Sequence, residues 1–294
     1  MIEPKKKILF IINPISGGHN KAEIIKAIPK LLDTNKFDIF FTHTKRAGHA
    51  IEIAKNAVER KMDIVVAIGG DGTINEVASQ LVNTNTTLAI VPCGSGNGLA
   101  RDLKIPLHYK KAIQLINELN IKKIDAGICN HQYFFSLAGV GFDAQVAYDF
   151  NRGKQRKFSG YAWSIFKDYF NVRNQLFEIE LDNEKITGKF FFVTIANCSQ
   201  WGYNVKVAPH ARLDDGIFAV TFCKKPAFIS IIPFGIRMLS GKIKASFKTA
   251  TKISITSNKP FFYHADGDAK GVTQQVEVNI LPDALRVISS HVKF

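Results

Sequence analysis

The sequence predicts an α/β domain built on a parallel sheet, followed by a mainly antiparallel β domain. Three observations carry this. Up to about residue 124, continuous apolar runs alternate with stretches of helical periodicity, as expected for buried strands covered on both faces by helices. Beyond it, strand-like runs follow one another, separated by turns such as DNEK and LDDG. The chain of 294 residues also exceeds a typical single compact domain.

In order, KILFIIN (7–13) reads as a strand and AEIIKAIPKLL as a helix. FDIFFTHT (37–44) and AIEIAKNAVERK (50–61) repeat the unit, as do DIVVAIGG (63–70) and TINEVASQLV. TLAIVPCG (87–94) is the fourth strand. In the second domain YFFSLAGVGFDA, LFEIELDN, ITGKFFFVTIANC, GIFAVTFCKK, TKISITS and QQVEVNIL are strand-like, and only 158–173 and 226–241 look helical. The boundaries expected are 1–124 for the α/β domain and 125–283 for the β domain, a sandwich or barrel. The last segment, 284–294, carries ALRVISS, which either extends the second domain or returns to the first.

Hydrophobic residues make up 46% of the chain, enough for a sizeable core, and the formal net charge is +14. That charge suits a nucleotide, an anionic membrane or a nucleic acid, although surplus cations are often only solubilising. Cys93, Cys129, Cys198 and Cys223 have no CxxC spacing, so reduced thiols in a cytoplasmic protein are expected rather than a disulfide framework or zinc site. Lys5–Lys7 precede an apolar run too short for a signal peptide, and AFISIIPFGI (227–236) is too short to span a bilayer.

Three glycine-bearing turns, NPISGG (13–18), GGDGTIN (69–75) and PCGSGNG (92–98), each follow a predicted strand. In a parallel sheet they gather along one edge, where backbone N–H groups suit a polyphosphate. Asp71 would repel a bare phosphate, but it fits one accompanied by a cation such as Mg²⁺. The P-loop pattern, the GxGxxG dinucleotide fingerprint after the first strand, and the protein-kinase HRD and DFG motifs are all missing.

NPISGG, GGDGTINEV and PCGSGNGLARDL, with KIDAGICNHQYFFSLAGVGFDA (123–144), ARLDDGIFAV (211–220) and HADGDA (264–269), resemble the diacylglycerol-kinase catalytic family of lipid kinases over nearly the whole chain. The resemblance implies an α/β nucleotide-binding domain, a β-sandwich lipid-binding domain, and ATP in the cleft between them. It places Asn13, Pro14, Ile15, Ser16 and Gly17, Thr44 (four residues before Gly48), Gly69, Gly70, Asp71, Gly72, Thr73, Ile74 and Asn75, and Ser95 at ATP. It places a Mg²⁺ site at the Asp215 carboxylate with the carbonyls of Arg212 and Ile217, where a plain Asp-Gly turn is the competing reading.

The late motif departs from its family. The usual DGE is Asp266-Gly267-Asp268 here, and the implied base for the lipid hydroxyl falls on Asp268, one methylene shorter than glutamate. Asp266 or Asp71 is the alternative for part of that work. The activity implied is transfer of the γ-phosphate of Mg-ATP to the hydroxyl of a lipid such as diacylglycerol or a sphingoid base. An NAD kinase-like enzyme and a non-catalytic lipid- or nucleotide-binding regulator are the competing readings, and nucleic acid is not an expected partner. Arg152, Lys154, Arg156 and Lys157, followed by Phe158, Tyr161, Trp163, Phe166, Tyr169 and Phe170, suit peripheral contact with an anionic membrane, or else an aromatic helix packed on the β domain behind a solvated charge run.

Overall fold

A computed structural model describes residues 4–18, 20–152, 167–202 and 205–291. The chain forms two compact units, one of residues 1–124 with 283–294 and one of residues 125–282. Asp283 therefore groups with the first unit.

In the first unit β1 (Lys6–Ile12), β2 (Phe37–His43), β3 (Ile64–Gly69) and β4 (Thr87–Pro92) pair in parallel in the order β4-β3-β1-β2. Every residue of β3 and β4 is buried, which is why both read as unbroken apolar runs. At the edge, β2 leaves Phe40 and Phe41 exposed. Three helices, α1 (Lys21–Leu31), α2 (His49–Glu59) and α3 (Asp71–Leu81), connect these strands. Each buries an i, i+4 pair: Ile24 and Ile28, Ala50 and Ala54, Ile74 and Ala78. Asn20 caps α1 by accepting the Ala22 N–H at 3.0 Å. Two short helices follow, α4 (Gly98–Asp102) and α5 (Tyr109–Ile116), and β5 (Ile121–Cys129) leads out of this unit.

The second unit is a β-sandwich. One antiparallel path runs through β12 (Ser246–Ala250), β11 (Phe218–Cys223), β10 (Phe192–Ala196), β7 (Leu137–Gly141) and the end of β13 (Lys252–Ala265). The start of β13 pairs instead with β8 (Gln175–Leu181), which pairs with β9 (Glu184–Phe190). A register irregularity between Thr256 and Phe261 lets one strand serve both layers. Phe134, Phe177, Ile179, Val193, Ile195, Phe218, Val220 and Ile255 fill the core between them. Burying each such side chain contributes about 1.5–3 kcal/mol. A hairpin joins β13 to the long strand β14 (Asp268–Ile288), whose final residues pair with β4 in the first unit through Val287 and Leu88.

Two runs fold differently from the sequence expectation. The run 133–144 is not one strand: after β6 (Gln132–Phe134) and β7 the chain enters helix α6 (Phe142–Arg152). Gly141, at φ 94°, ends the strand, and the aromatic and β-branched residues beyond it had masked the helical spacing. Likewise ITGKFFFVTIANC divides at Phe191 into β9 and β10, which pair with different neighbours. Segment 226–241 is a short 3-10 turn, Phe228–Ser230, followed by α7 (Ile231–Ser240). Most of the expected helix 158–173 lies outside the described residues, and 167–171 are helical.

Candidate functional site

In the strand order β4-β3-β1-β2, connections leave β1 and β3 toward opposite sides, so the crevice at their carboxyl ends is the place where open α/β sheets bind ligands. The turns after β1 and β3 lie there. The Asn13 side chain donates from Nδ2 to Thr73 Oγ1 at 2.8 Å and accepts the Ile15 N–H on Oδ1 at 3.2 Å. Ser16 Oγ donates to the Asn13 carbonyl at 2.9 Å, and the Lys21 ammonium donates to the Ser16 carbonyl at 2.6 Å. Thr44, buried at the end of β2, donates its N–H to the Ile12 carbonyl at 2.9 Å.

The turn after β4 is locked to the turn after β3. Asp71 opens α3, and its carboxylate accepts the N–H groups of Asn97 and Gly98, each at 2.9 Å. Asn97 sits in the left-handed region at φ 51° and donates from Nδ2 to the Gly94 carbonyl at 2.8 Å. Burial pushes the Asp71 carboxyl up, while the Asn97 and Gly98 N–H groups pull it down. The glycines are required by contact: a Cβ on Gly94 would lie 2.7 Å from the Gly70 Cα, and one on Gly17 would lie 1.6 Å from the Cys93 carbonyl oxygen. Next to Gly72 and Gly18 the space is open. This crevice, with first-turn N–H groups of α3 and open room beside Gly72, fits an anionic phosphate chain. Asn97 Oδ1, buried without a hydrogen-bond partner among the described residues, is a further polar atom in it.

The expected nucleotide-binding residues Asn13, Ser16, Gly17, Thr44, Gly69, Gly70, Asp71, Gly72 and Thr73 thus collect at one edge of the sheet, with Pro14, Ile15 and Ser95 on exposed turns. Ile74 is different, for its side chain is in the core and only its backbone faces the helix start. Lys21, which braces the first turn, went unrecognised in the sequence because a lysine at a helix start looks like an ordinary surface residue.

In the second unit, Asp266 and Gly267 both have positive φ, 50° and 76°, and form a two-residue hairpin turn closed by Ala265 and Asp268. Asp266 accepts the N–H groups of Phe135, Ser136 and Leu137 at 2.7–3.1 Å. Asp268 is exposed and pairs with Lys270 at 2.9 Å. Behind the turn, Asp143, Thr194 and His264 form a buried polar cluster: Thr194 Oγ1 donates to Asp143 Oδ2 at 2.9 Å, and His264 Nε2 lies 3.4 Å from the same oxygen. His264 Nδ1 accepts the Gly267 N–H at 3.3 Å, which leaves Nε2 as the protonated nitrogen facing Asp143. Its members are far apart in the chain, Asp143 and His264 by 121 residues and Asp143 and Thr194 by 51, so no local pattern announces it.

Asp215 lies in the turn before β11 and accepts the Ile217 N–H at 3.3 Å, while neighbouring Gly216 donates to Asp125 at 2.7 Å. The Arg212 guanidinium pairs with Asp214 at 3.0 Å. Burial, and then the nearby charges of Asp125 and Asp214, push the Asp215 carboxyl up. The Asp215 carboxylate is a hard-oxygen donor of the kind Mg²⁺ takes, with the Arg212 charge drawing its carboxyl down. No cluster of three acidic, His or Cys side chains with metal-site geometry exists among the described residues. A cavity of about 380 Å³ opens beside Asp215, with His210, Ile217, Phe247 and Lys248 in its wall.

Comparison with known proteins gives a consistent picture. Residues 7–129 match the family model described as the diacylglycerol kinase catalytic domain, and residues 136–289 match the YegS C-terminal NAD kinase beta sandwich-like domain. The chain is 29% identical over 287 residues to a diacylglycerol kinase of Bacillus subtilis, covering 94% of each protein. It is 28% identical to a diacylglycerol kinase of Staphylococcus saprophyticus, covering 91% of this chain and 90% of that one. A crystal structure of a diacylglycerol kinase from Bacillus anthracis superposes with a TM-score of 0.77 at 21% identity, covering 97% of each chain, and shares the fold.

Proposed function

We propose a specific activity from one premise: this chain belongs to the diacylglycerol kinase catalytic-domain family, among the bacterial lipid kinases that carry the β-sandwich-like C-terminal domain. It is an ATP-dependent lipid kinase that transfers the γ-phosphate to a lipid hydroxyl, with diacylglycerol the first substrate to test because relatives bear that name. The observation that carries the reading is the convergence of three glycine turns at the carboxyl ends of β1, β3 and β4, tied together by Asn13–Thr73 and Asp71–Asn97.

ATP, with Mg²⁺, supplies the transferable phosphoryl group. The N–H groups of the turns at 13–17, 69–75 and 94–98 hold its phosphates, and Thr44 and Ser95 border the same ligand. Asp215, with the Arg212 and Ile217 carbonyls, would hold the Mg²⁺ ion, which would neutralise phosphate charge. Asp71 acts chiefly by positioning, since both its oxygens already accept backbone N–H groups. The same reasoning turns Asp266 into the anchor of the hairpin, because its two oxygens accept three N–H groups. Asp268, exposed at the turn, is left to take the proton of the lipid hydroxyl. Positioning and charge stabilisation then account for most of the rate. We place the protein in the cytoplasm with peripheral contact to an anionic membrane. The basic segment expected to make that contact lies largely outside the described residues, and no helix among the described residues is long and apolar enough to cross a bilayer.

The test is transfer of labelled γ-phosphate from Mg-ATP to a panel of lipids in mixed micelles, with wild type beside Asp268→Asn. Labelled lipid from wild type, and at least about a hundredfold less from the variant, is expected. Labelling of NAD instead would favour the NAD kinase-like alternative, and no labelling at all would leave a binding protein.

A further inference from the structure

Helix α7 is apolar on both sides. Its inner face, Ile231, Phe234 and Met238, packs on the cluster formed by Phe142, Val146, Tyr169 and Phe191. Its outer face carries Ile236 and Leu239, and the 3-10 turn before it adds Phe228 and Ile229, with Ile229 88% exposed. Positions 229, 236 and 239 fall within one helical stripe, and Phe170, also exposed, meets Phe228 in a tilted ring contact at 5.6 Å between centroids. A surface helix needs one apolar face, so the second is surplus to folding. A contiguous exposed apolar patch of this kind marks an interaction site.

Charge identifies the partner. From Gly216 to Ala265 the chain contains no Asp or Glu, and it carries Lys224, Lys225, Arg237, Lys242, Lys244, Lys248, Lys252 and Lys259. Lys224 precedes the apolar segment and Lys242 and Lys244 follow it, all three exposed. The Lys225 ammonium lies 4.5 Å from the centroid of the Tyr169 ring, which itself meets Phe170 and Phe228, and the exposed Arg173 follows three residues after Phe170. Burial, and then the neighbouring Arg173 charge, push the Lys225 ammonium down. A second copy of this chain is a poor occupant, because a two-fold contact would set the acid-free segment 216–265 against itself. An anionic bilayer complements it in both respects: acyl chains take Phe228, Ile229, Ile236 and Leu239, and head groups take the flanking lysines.

We propose that the 3-10 turn and outer face of α7, residues 228–239, form the element by which this protein docks on an anionic membrane surface. It rests on the lipid kinase reading only in its choice of partner, and docking is read without turnover, so the two can fail separately.

The experiment is co-sedimentation of the full chain with vesicles of phosphatidylcholine alone and of phosphatidylcholine mixed with phosphatidylglycerol. Wild type is compared with Ile229→Asp/Ile236→Asp and with Lys242→Glu/Lys244→Glu, all at exposed positions, and each variant is melted to check that it folds. Wild type should bind the anionic vesicles, and less tightly as salt rises. Each double variant should lose at least about tenfold in partitioning, about 1.4 kcal/mol, with its melting temperature kept. Equal binding by wild type and the isoleucine variant would overturn the proposal. So would a wild type that ignores anionic vesicles, or one that runs as a dimer broken by the isoleucine changes, since the patch would then be covered by a second copy.

Discussion

Asp71 and Asn97 are joined by a 2.9 Å hydrogen bond from the Asn97 N–H to the Asp71 carboxylate, and the Gly98 N–H reaches the other oxygen at the same distance. The residue that stands conspicuously between glycines in GGDGT is therefore the tie that holds a different loop. Replacing it with asparagine keeps one acceptor oxygen but puts an amide donor against a backbone donor. Loss of one charge-assisted bond is worth about 1.5–3 kcal/mol. Asp71→Asn should lower the melting temperature by about 5 °C and weaken ATP binding by at least about tenfold, read by calorimetric titration. Unchanged binding would separate the third turn from the nucleotide site.

Gly17 and Gly18 make an internal comparison. Gly17 has φ 58° and would press a Cβ to 1.6 Å from the Cys93 carbonyl oxygen, whereas a Cβ on Gly18 meets nothing within 4 Å. Gly17→Ala should cost about 2 kcal/mol or more through backbone strain and overpacking. Gly18→Ala should stay within about 0.5 kcal/mol of wild type. Denaturant titration of the two variants reads the difference. If they melt alike, the packing of the first turn on the third is not what fixes these glycines.

The parallel strands were legible because β1, β3 and β4 are buried on both faces and so are spelled as uninterrupted apolar runs. The glycine turns were legible for a related reason, since a backbone contact under 3 Å leaves only glycine at Gly17 and Gly94, and a positive φ favours it at Gly267. What stayed hidden was set by tertiary contact. Helix α6 follows β7 directly at Phe142, and its aromatic residues read as strand. The Asp143–His264 pairing joins residues far apart in the chain, and the roles of Asp71 and Asp266 as acceptors of N–H groups become visible only once their donors are placed.

Asp168 gives a pH dependence with a definite sign. Its burial, then the charge of Asp149 and a hydrogen bond with it, push its carboxyl up to about 7 from an ordinary 3.8, and its Oδ2 is buried without a partner among the described residues. The folded state therefore holds a proton that the unfolded chain gives up. The stability from this site is complete below the ordinary carboxylate range and is lost as pH rises through about 7. Melting temperature should fall between about pH 4 and about pH 7 in wild type and level off above that, and should fall by clearly less in Asp168→Asn, whose amide is neutral throughout. Parallel declines in the two proteins would show that Asp168 ionises normally.

The hairpin turn offers the last test, because its shape depends on a side chain that never reaches its tip. His264 accepts the Gly267 N–H on one nitrogen and faces Asp143 with the other, and Gly139 leaves the room for both: a Cβ there would lie 2.2 Å from Asp143 Oδ2 and 2.8 Å from His264 Nε2. Asp143→Ala strands His264 and Thr194 in the interior without their acceptor, a cost of about 1–3 kcal/mol. Asp143→Asn restores an acceptor oxygen without the charge. If Asp268 is the base, its carboxylate must be held within a fraction of an ångström, and loosening the turn should act on turnover rather than on substrate affinity. Asp143→Ala should then lower kcat by about a hundredfold with KM nearly unchanged, and Asp143→Asn should recover most of it. A rise in KM with kcat preserved would mean that the cluster supports the lipid-binding unit as a whole and has no hold on the turn.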